Sequence, residues 1–182
     1  MQFKKSLMTS MLFAVSGLVA ISSANAAGIA TGQFDVKLNI TSVCSVDANS
    51  GAQDIDFGSH AAGTTAAEVG VAQSSTDIAV TCSKNAPYIV NLTPVSTSSD
   101  DGTGTMSGPG TDTTDYQLYS DAAATEAWGN LGVLGTENNG VAGVGEGLTV
   151  AATTHTVYAN LTSTTDIQLG DYSDTVNVAV TY

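Results

Sequence analysis

Apolar and polar residues alternate strictly along Phe34-Asp35-Val36-Lys37-Leu38-Asn39-Ile40. In an extended segment Phe34, Val36, Leu38 and Ile40 share one face, and Asp35, Lys37 and Asn39 share the other. A second such run, Val176 to Tyr182, places Val176, Val178, Val180 and Tyr182 together. Between the two, the same period recurs in short pieces. Thr41 to Val46 continues the first run as an extended segment. Ile55-Asp56-Phe57 reads as a short strand ended by Gly58. Ile78, Val80 and Cys82 align within 77–82, Tyr88, Val90 and Leu92 within 88–92, and Val157, Ala159 and Leu161 within 156–161. Tyr116-Gln117-Leu118-Tyr119 is a further strand. Turn residues punctuate these runs at Asn49-Ser50-Gly51, at Lys84-Asn85-Ala86-Pro87 and over 169–174. Residues 59–75 read as a crossing between sheets, 96–115 as a polar loop and 121–147 as a long irregular connection. No amphipathic helix is predicted, and Ala122 to Ala127 makes one turn at most. Short strands at intervals, separated by turn residues, predict an all-β sandwich.

The first residues change the picture of the chain's location. Lys4 and Lys5 precede a mostly apolar stretch from Leu7 to Ile21, and Ala24-Asn25-Ala26 is an A-x-A cleavage site. This is the pattern of a secretory signal peptide over 1–26. A membrane anchor is the alternative, but the stretch is short and broken by Thr9, Ser10 and Ser16. The expected layout is a signal peptide at 1–26, an N-terminal extension at 27–40 that carries the first alternating run, and one domain at 41–182. Residues 27–33 are small and flexible and read as a free tail.

Charge removes several function classes. The chain holds 4 Lys+Arg and 17 Asp+Glu. Without the signal, Lys37 and Lys84 stand as two cations against 17 carboxylates, a net of −15. Phosphate recognition needs Lys and Arg, so no nucleic-acid partner is expected. Anionic membrane is disfavoured for the same reason, whereas a basic protein partner is favoured. In an exported chain, two cysteines favour one disulfide, Cys44 to Cys82, with two free buried thiols as the alternative. The bridge would close a loop of about forty residues, worth roughly 3–4 kcal/mol in the chain-entropy picture.

Candidate chemistry is sparse. His60 and His155 are read as structural or surface residues, because no G-x-S-x-G elbow accompanies them. Asp100-Asp101-Gly102-Thr103-Gly104 lacks the ligand order and closing Glu of a calcium loop and reads as a solvated turn. Asp54 and Asp56 share a face if extended, but two carboxylates on one short strand do not straddle a substrate. Trp128, the one tryptophan, is expected to pack in the core. No catalytic residue, metal site or cofactor is expected, and the protein is not expected to be an enzyme.

The edge strands pose the remaining question. A sandwich must pair, cover or blunt them, and Val176 to Tyr182 is neither short nor charged and has no proline. If a further strand closes the core, it is expected to come from the other end of a chain. Either residues 33–46 fold back and pair in the same molecule, or residues 33–40 fill the gap in a neighbouring one.

The sequence resembles the spore coat U family, the shaft subunits of archaic chaperone–usher pili of the Csu type. The likeness is carried by the alternating run leading into Val43-Cys44-Ser45-Val46, by Asp56-Phe57-Gly58-Ser59, and by Val80-Thr81-Cys82. It continues through Tyr116-Gln117-Leu118-Tyr119, Trp128-Gly129 and Thr156-Val157-Tyr158, and ends in Gly170-Asp171-Tyr172-Ser173-Asp174-Thr175-Val176 and Val178-Ala179-Val180-Thr181-Tyr182. The Gly-rich stretches near 97–113 and 131–147 lie outside it. The resemblance implies an incomplete immunoglobulin-like β-sandwich, a pilin, completed by a donor strand from a neighbouring subunit. Phe34, Val36, Leu38 and Ile40 would be the donor side chains. Val176, Val178, Val180 and Tyr182 would belong to the acceptor groove and its C-terminal strand, and Cys44 and Cys82 would form the disulfide. The implied partners are identical subunits in a homopolymer, a periplasmic chaperone, an outer-membrane usher, and minor and tip pilus subunits. The implied location is the cell surface, in a pilus reached through the periplasm, and the implied role is attachment and biofilm formation. A self-contained secreted coat or matrix protein is the alternative.

Overall fold

The computed structural model describes residues 28–69, 74–163 and 165–182. The expected signal peptide lies outside them. The chain divides into a unit ending at Leu38 and a unit spanning Asn39–Tyr182. Among its described residues, the second unit holds eight strands and one short helix in the order β1 (Cys44–Asp47), α1 (Ala66–Val69), β2 (Ser74–Cys82), β3 (Pro87–Pro94), β4 (Thr103–Ser107), β5 (Thr113–Tyr119), β6 (Val141–Val144), β7 (Thr153–Leu161) and β8 (Val176–Thr181). They form a five-stranded sheet, β1-β2-β7-β5-β4, and a three-stranded sheet, β6-β3-β8. Every named pairing is antiparallel.

The aligned apolar positions are the core. Ile78, Val80 and Cys82 on β2 and Val157, Ala159 and Leu161 on β7 are buried toward Tyr88, Val90 and Leu92 of β3. Trp128 is buried with them, and its indole N–H donates to the Val90 carbonyl at 3.0 Å. A buried indole needs such a partner. β3 departs from the expected alternation, because Ile89 and Asn91 are buried as well. The connection after Trp128 covers this outer face. Asn91 accepts from the Gly132 N–H at 3.2 Å and donates to the Gly132 carbonyl at 2.9 Å, so its side chain pairs with that loop as a strand backbone would. Side chains at Gly132 and Gly140 would collide with Ile89 and Asn91.

Residues 28–43, the run 34–40 included, form no strand within this chain, while β1 begins at Cys44 and pairs with β2. Alternation supplies a face but no ladder, and an isolated extended segment has no backbone partner. Several other expectations are corrected. Ile55-Asp56-Phe57 is likewise not a strand. There the Asp56 carboxylate accepts the Gly58 N–H at 2.7 Å and closes a local turn. The polar loop at 96–115 contains β4, paired with the start of β5. The irregular connection at 121–147 contains β6, paired with β3. Residues 122–127 make no helix, because the Asp121 carboxylate gathers the N–H groups of Thr125 and Glu126 into a turn. The crossing before β2 includes α1, at whose start the Glu68 carboxylate reaches back to accept both the Thr65 N–H and the Thr65 hydroxyl at 2.8 Å. Those bonds hold the Glu68 carboxyl below its usual range. Among the described residues, no helix is long and apolar enough to cross a membrane.

Candidate functional site

The sandwich is open on one side. Among the described residues, β8 pairs with β3 alone and β1 with β2 alone, so each leaves an edge without a neighbour. A cleft of about 820 Å³ lies within the Asn39–Tyr182 unit and reaches the core. Its floor includes Ile78, Leu92, Leu118, Val157 and Ala159. Val176 and Val178 form part of one wall, and residues 48–57 lie along another part of the lining. Tyr172 to Thr175 complete the rim.

β8 turns its apolar face inward because its alternation is strict. Val176, Val178 and Val180 are half-buried against the core cluster, while Asn177, Ala179 and Thr181 are exposed. Register with β3 fixes this orientation through Val90↔Val180, Leu92↔Val178 and Pro94↔Val176. Of the four C-terminal residues singled out from sequence, Val176 and Val178 line the cleft, Val180 packs on the core beside it, and Tyr182 is half-exposed. The run Phe34, Val36, Leu38 and Ile40 is between 81 and 88% exposed. On its polar face Lys37 and Asp35 form an ion pair at 3.3 Å, which is too exposed to matter for stability.

Cys44 and Cys82 form a disulfide that joins the first register pair of β1 and β2. In the lining of the cleft, the carboxylate of Asp174 accepts from the Tyr116 hydroxyl, the Ser96 hydroxyl and N–H, and the Thr175 N–H. Burial and the nearby Asp174 charge push the Tyr116 hydroxyl pKa far up, so it stays a donor. The floor, the 48–57 lining and the 172–175 rim were not singled out as a site from sequence. The floor carries the same alternating signal as the rest of the core, the 48–57 lining carries a turn and the short apolar triplet Ile55-Asp56-Phe57, and the rim carries turn residues.

The remaining candidates show no convergent chemistry. His60 is exposed, with Nε2 2.6 Å from the Phe57 carbonyl. His155 lies 2.9 Å from the Tyr88 hydroxyl and edge-on to Tyr88 and Trp128. Asp101 accepts the Thr103 N–H and the Ser99 hydroxyl within its own turn, which lowers its pKa. Among the described residues, no group of three or more His, Cys, Asp or Glu is placed to hold a metal.

The spore coat protein U domain matches residues 30–179. No curated protein matches the chain. Among solved structures, the chain is similar to the CsuC–CsuE chaperone–tip adhesion subunit pre-assembly complex from archaic chaperone–usher Csu pili of Acinetobacter baumannii. That likeness has 19% identity and a TM-score of 0.49, and covers 79% of this chain and 40% of that one. It is also similar to the P pilus rod subunit PapA, with 15% identity and a TM-score of 0.45 over 82% of this chain and 99% of that one. The chain therefore spans less than half the length of the first of these structures. With the family domain matched over most of its length, the chain belongs to the Spore Coat Protein U domain family.

Proposed function

We propose that this protein is the major structural subunit of a chaperone–usher pilus and that it polymerises by donor-strand exchange. One observation carries the reading: the unpaired edge of β8 borders a cleft floored by core side chains. The same chain displays an exposed apolar face at Phe34, Val36, Leu38 and Ile40. The lengths agree. β8 has six residues, roughly 20 Å at about 3.3 Å each, and the seven-residue run 34–40 reaches about 23 Å. Inserted beside β8, the run turns Phe34, Val36, Leu38 and Ile40 onto the floor and leaves Asp35, Lys37 and Asn39 in water.

Burial of four such side chains contributes about 6–12 kcal/mol gross at roughly 1.5–3 kcal/mol each. The backbone ladder adds about 0.5–1.5 kcal/mol per bond, and ordering of the extension subtracts from the total. Before assembly, a periplasmic chaperone lends the strand. At an outer-membrane usher, the extension of the next subunit replaces it, and minor and tip subunits complete the fibre. The product is a surface pilus that supports attachment and biofilm growth.

The test is mobility on an SDS gel with and without boiling. Ladders that collapse to monomer on heating are expected of the wild type. Leu38→Asp is expected to abolish the ladder and leave a chaperone-bound monomer. A lone monomer band from assembled material, or ladders of normal yield from Leu38→Asp, overturns the donor assignment.

A further inference from the structure

We infer that the segment 54–58 is a displaceable plug, which occupies part of the cleft in the free subunit and withdraws when a donor strand enters. The inference rests on the donor-strand reading above. Ile55 and Phe57 stand two residues apart, and both pack half-buried on the core cluster. Both line the same cleft as Ile78, Leu92 and Val178. An apolar–Asp–apolar triplet at period two is the pattern of the run 34–40 in miniature.

The segment's attachment is weak. It forms no strand. Gly51 donates to the Asp54 carboxylate at 2.8 Å and Gly58 to the Asp56 carboxylate at 2.7 Å, both within the local chain. His60 meets the Phe57 carbonyl at 2.6 Å, again locally. Among the described residues, the one hydrogen bond from 54–58 to a strand is the Ser74 hydroxyl donating to the Asp56 carbonyl at 3.0 Å. Gly51 and Gly58 bracket the segment with φ of 88° and 78°, a conformation glycine holds without strain. The segment covers apolar floor but makes no backbone ladder with β8. A donor strand offers both and therefore displaces it. The plug shields the open core from wrong partners and makes its own release a step in strand capture.

The test uses the chain carrying Leu38→Asp, which silences its own extension, and a fluorescent peptide copying residues 33–41. Removing the plug with Ile55→Ala and Phe57→Ala, or loosening it with Ser74→Ala, is expected to speed peptide capture, by about tenfold for the double variant. If 54–58 is instead a fixed wall of the groove, the variants capture peptide at an equal or lower rate, and the plug is overturned while the donor reading stands. If no version captures the peptide, the donor reading falls and the plug with it. A second measurement leaves the segment unaltered. A soluble paramagnetic agent is expected to relax the Ile55 and Phe57 side-chain protons more strongly once peptide is bound. Unchanged or weaker relaxation in the bound state overturns the plug.

Discussion

The Tyr116 hydroxyl donates to Asp174 Oδ2 at 2.8 Å and so joins the two sheets within the lining of the cleft. Tyr116 belongs to β5 in the larger sheet, and Asp174 lies two residues before β8 in the smaller one. The same carboxylate accepts the Ser96 hydroxyl at 2.5 Å and the Thr175 N–H at 2.8 Å. Tyr116→Phe removes one donor and leaves the others, so a loss of about 1–2 kcal/mol is expected. Asp174→Ala strands several donors at once and is expected to cost about 3 kcal/mol or more. Urea unfolding curves of both variants check the order. Equal losses would show that the Tyr116 bond carries all of the carboxylate's contribution.

His155 sets a pH dependence. It is half-buried between Tyr88 and Trp128, with its Nε2 2.9 Å from the Tyr88 hydroxyl. Burial depresses its pKa below the ordinary value of 6.5. The unfolded chain therefore binds the proton first as pH falls. Stability is full above about 6.5 and declines as pH drops from there through the depressed folded value. His155→Gln is expected to flatten this slope between pH 7 and 5, as read by the difference in melting temperature from wild type. A variant whose melting temperature tracks the wild type across that window would assign the slope elsewhere.

Most strands that could be read from sequence carry three aligned apolar residues, and β5 was read from Tyr116 and Leu118. β2, β3 and β7 each carry such a set, and each set is buried. β4 escaped because Thr103-Gly104-Thr105-Met106-Ser107 carries a single large apolar side chain, as befits a strand at a sheet edge. β6 escaped because Val141-Ala142-Gly143-Val144 is glycine-broken and short. Ile55 and Phe57 gave a true apolar pattern but a false strand, since periodicity reports a face and not a hydrogen-bond partner. Alternation put Val176 and Val178 on one face of β8, and only the family resemblance implied a groove for that face. The floor of the cleft was not legible, because Ile78, Leu92 and Val157 carry the same signal whether a second layer closes over them or not.

Two glycines lie directly across from tyrosines. Gly104 pairs with Tyr116, and Gly143 pairs with Tyr88. In both pairs the ring lies over the bare backbone, and an added Cβ would come within 2.2 Å of the ring Cζ. The tyrosine supplies the cover that a glycine cannot, an arrangement that compensates for glycine in a strand. Gly104→Ala and Gly143→Ala are each expected to cost about 1–3 kcal/mol by overpacking. Gly32→Ala meets nothing within 4 Å and is expected to be neutral. Thermal melts of the three variants separate the two outcomes.

The Cys44–Cys82 bridge is expected to matter most at β1. That strand has four residues, all but the first exposed, and one pairing partner. Beyond it, Val43 is held by Ser83, whose N–H donates to the Val43 carbonyl at 2.9 Å and whose hydroxyl accepts the Val43 N–H at 2.9 Å. Four antiparallel pairs on an exposed edge are marginal without a staple. The bridge closes a separation of 38 residues, which corresponds to about 4 kcal/mol of chain entropy taken from the unfolded state. Cys44→Ser with Cys82→Ser, or reduction, is expected to lower unfolding stability by about 3–4 kcal/mol. Amide exchange is expected to rise first over Cys44 to Asp47 and last over β7, which has neighbours on both sides. Protection lost evenly across both sheets would mean that the bridge acts on the unfolded chain alone and does not anchor β1. Unchanged stability would mean that it does neither.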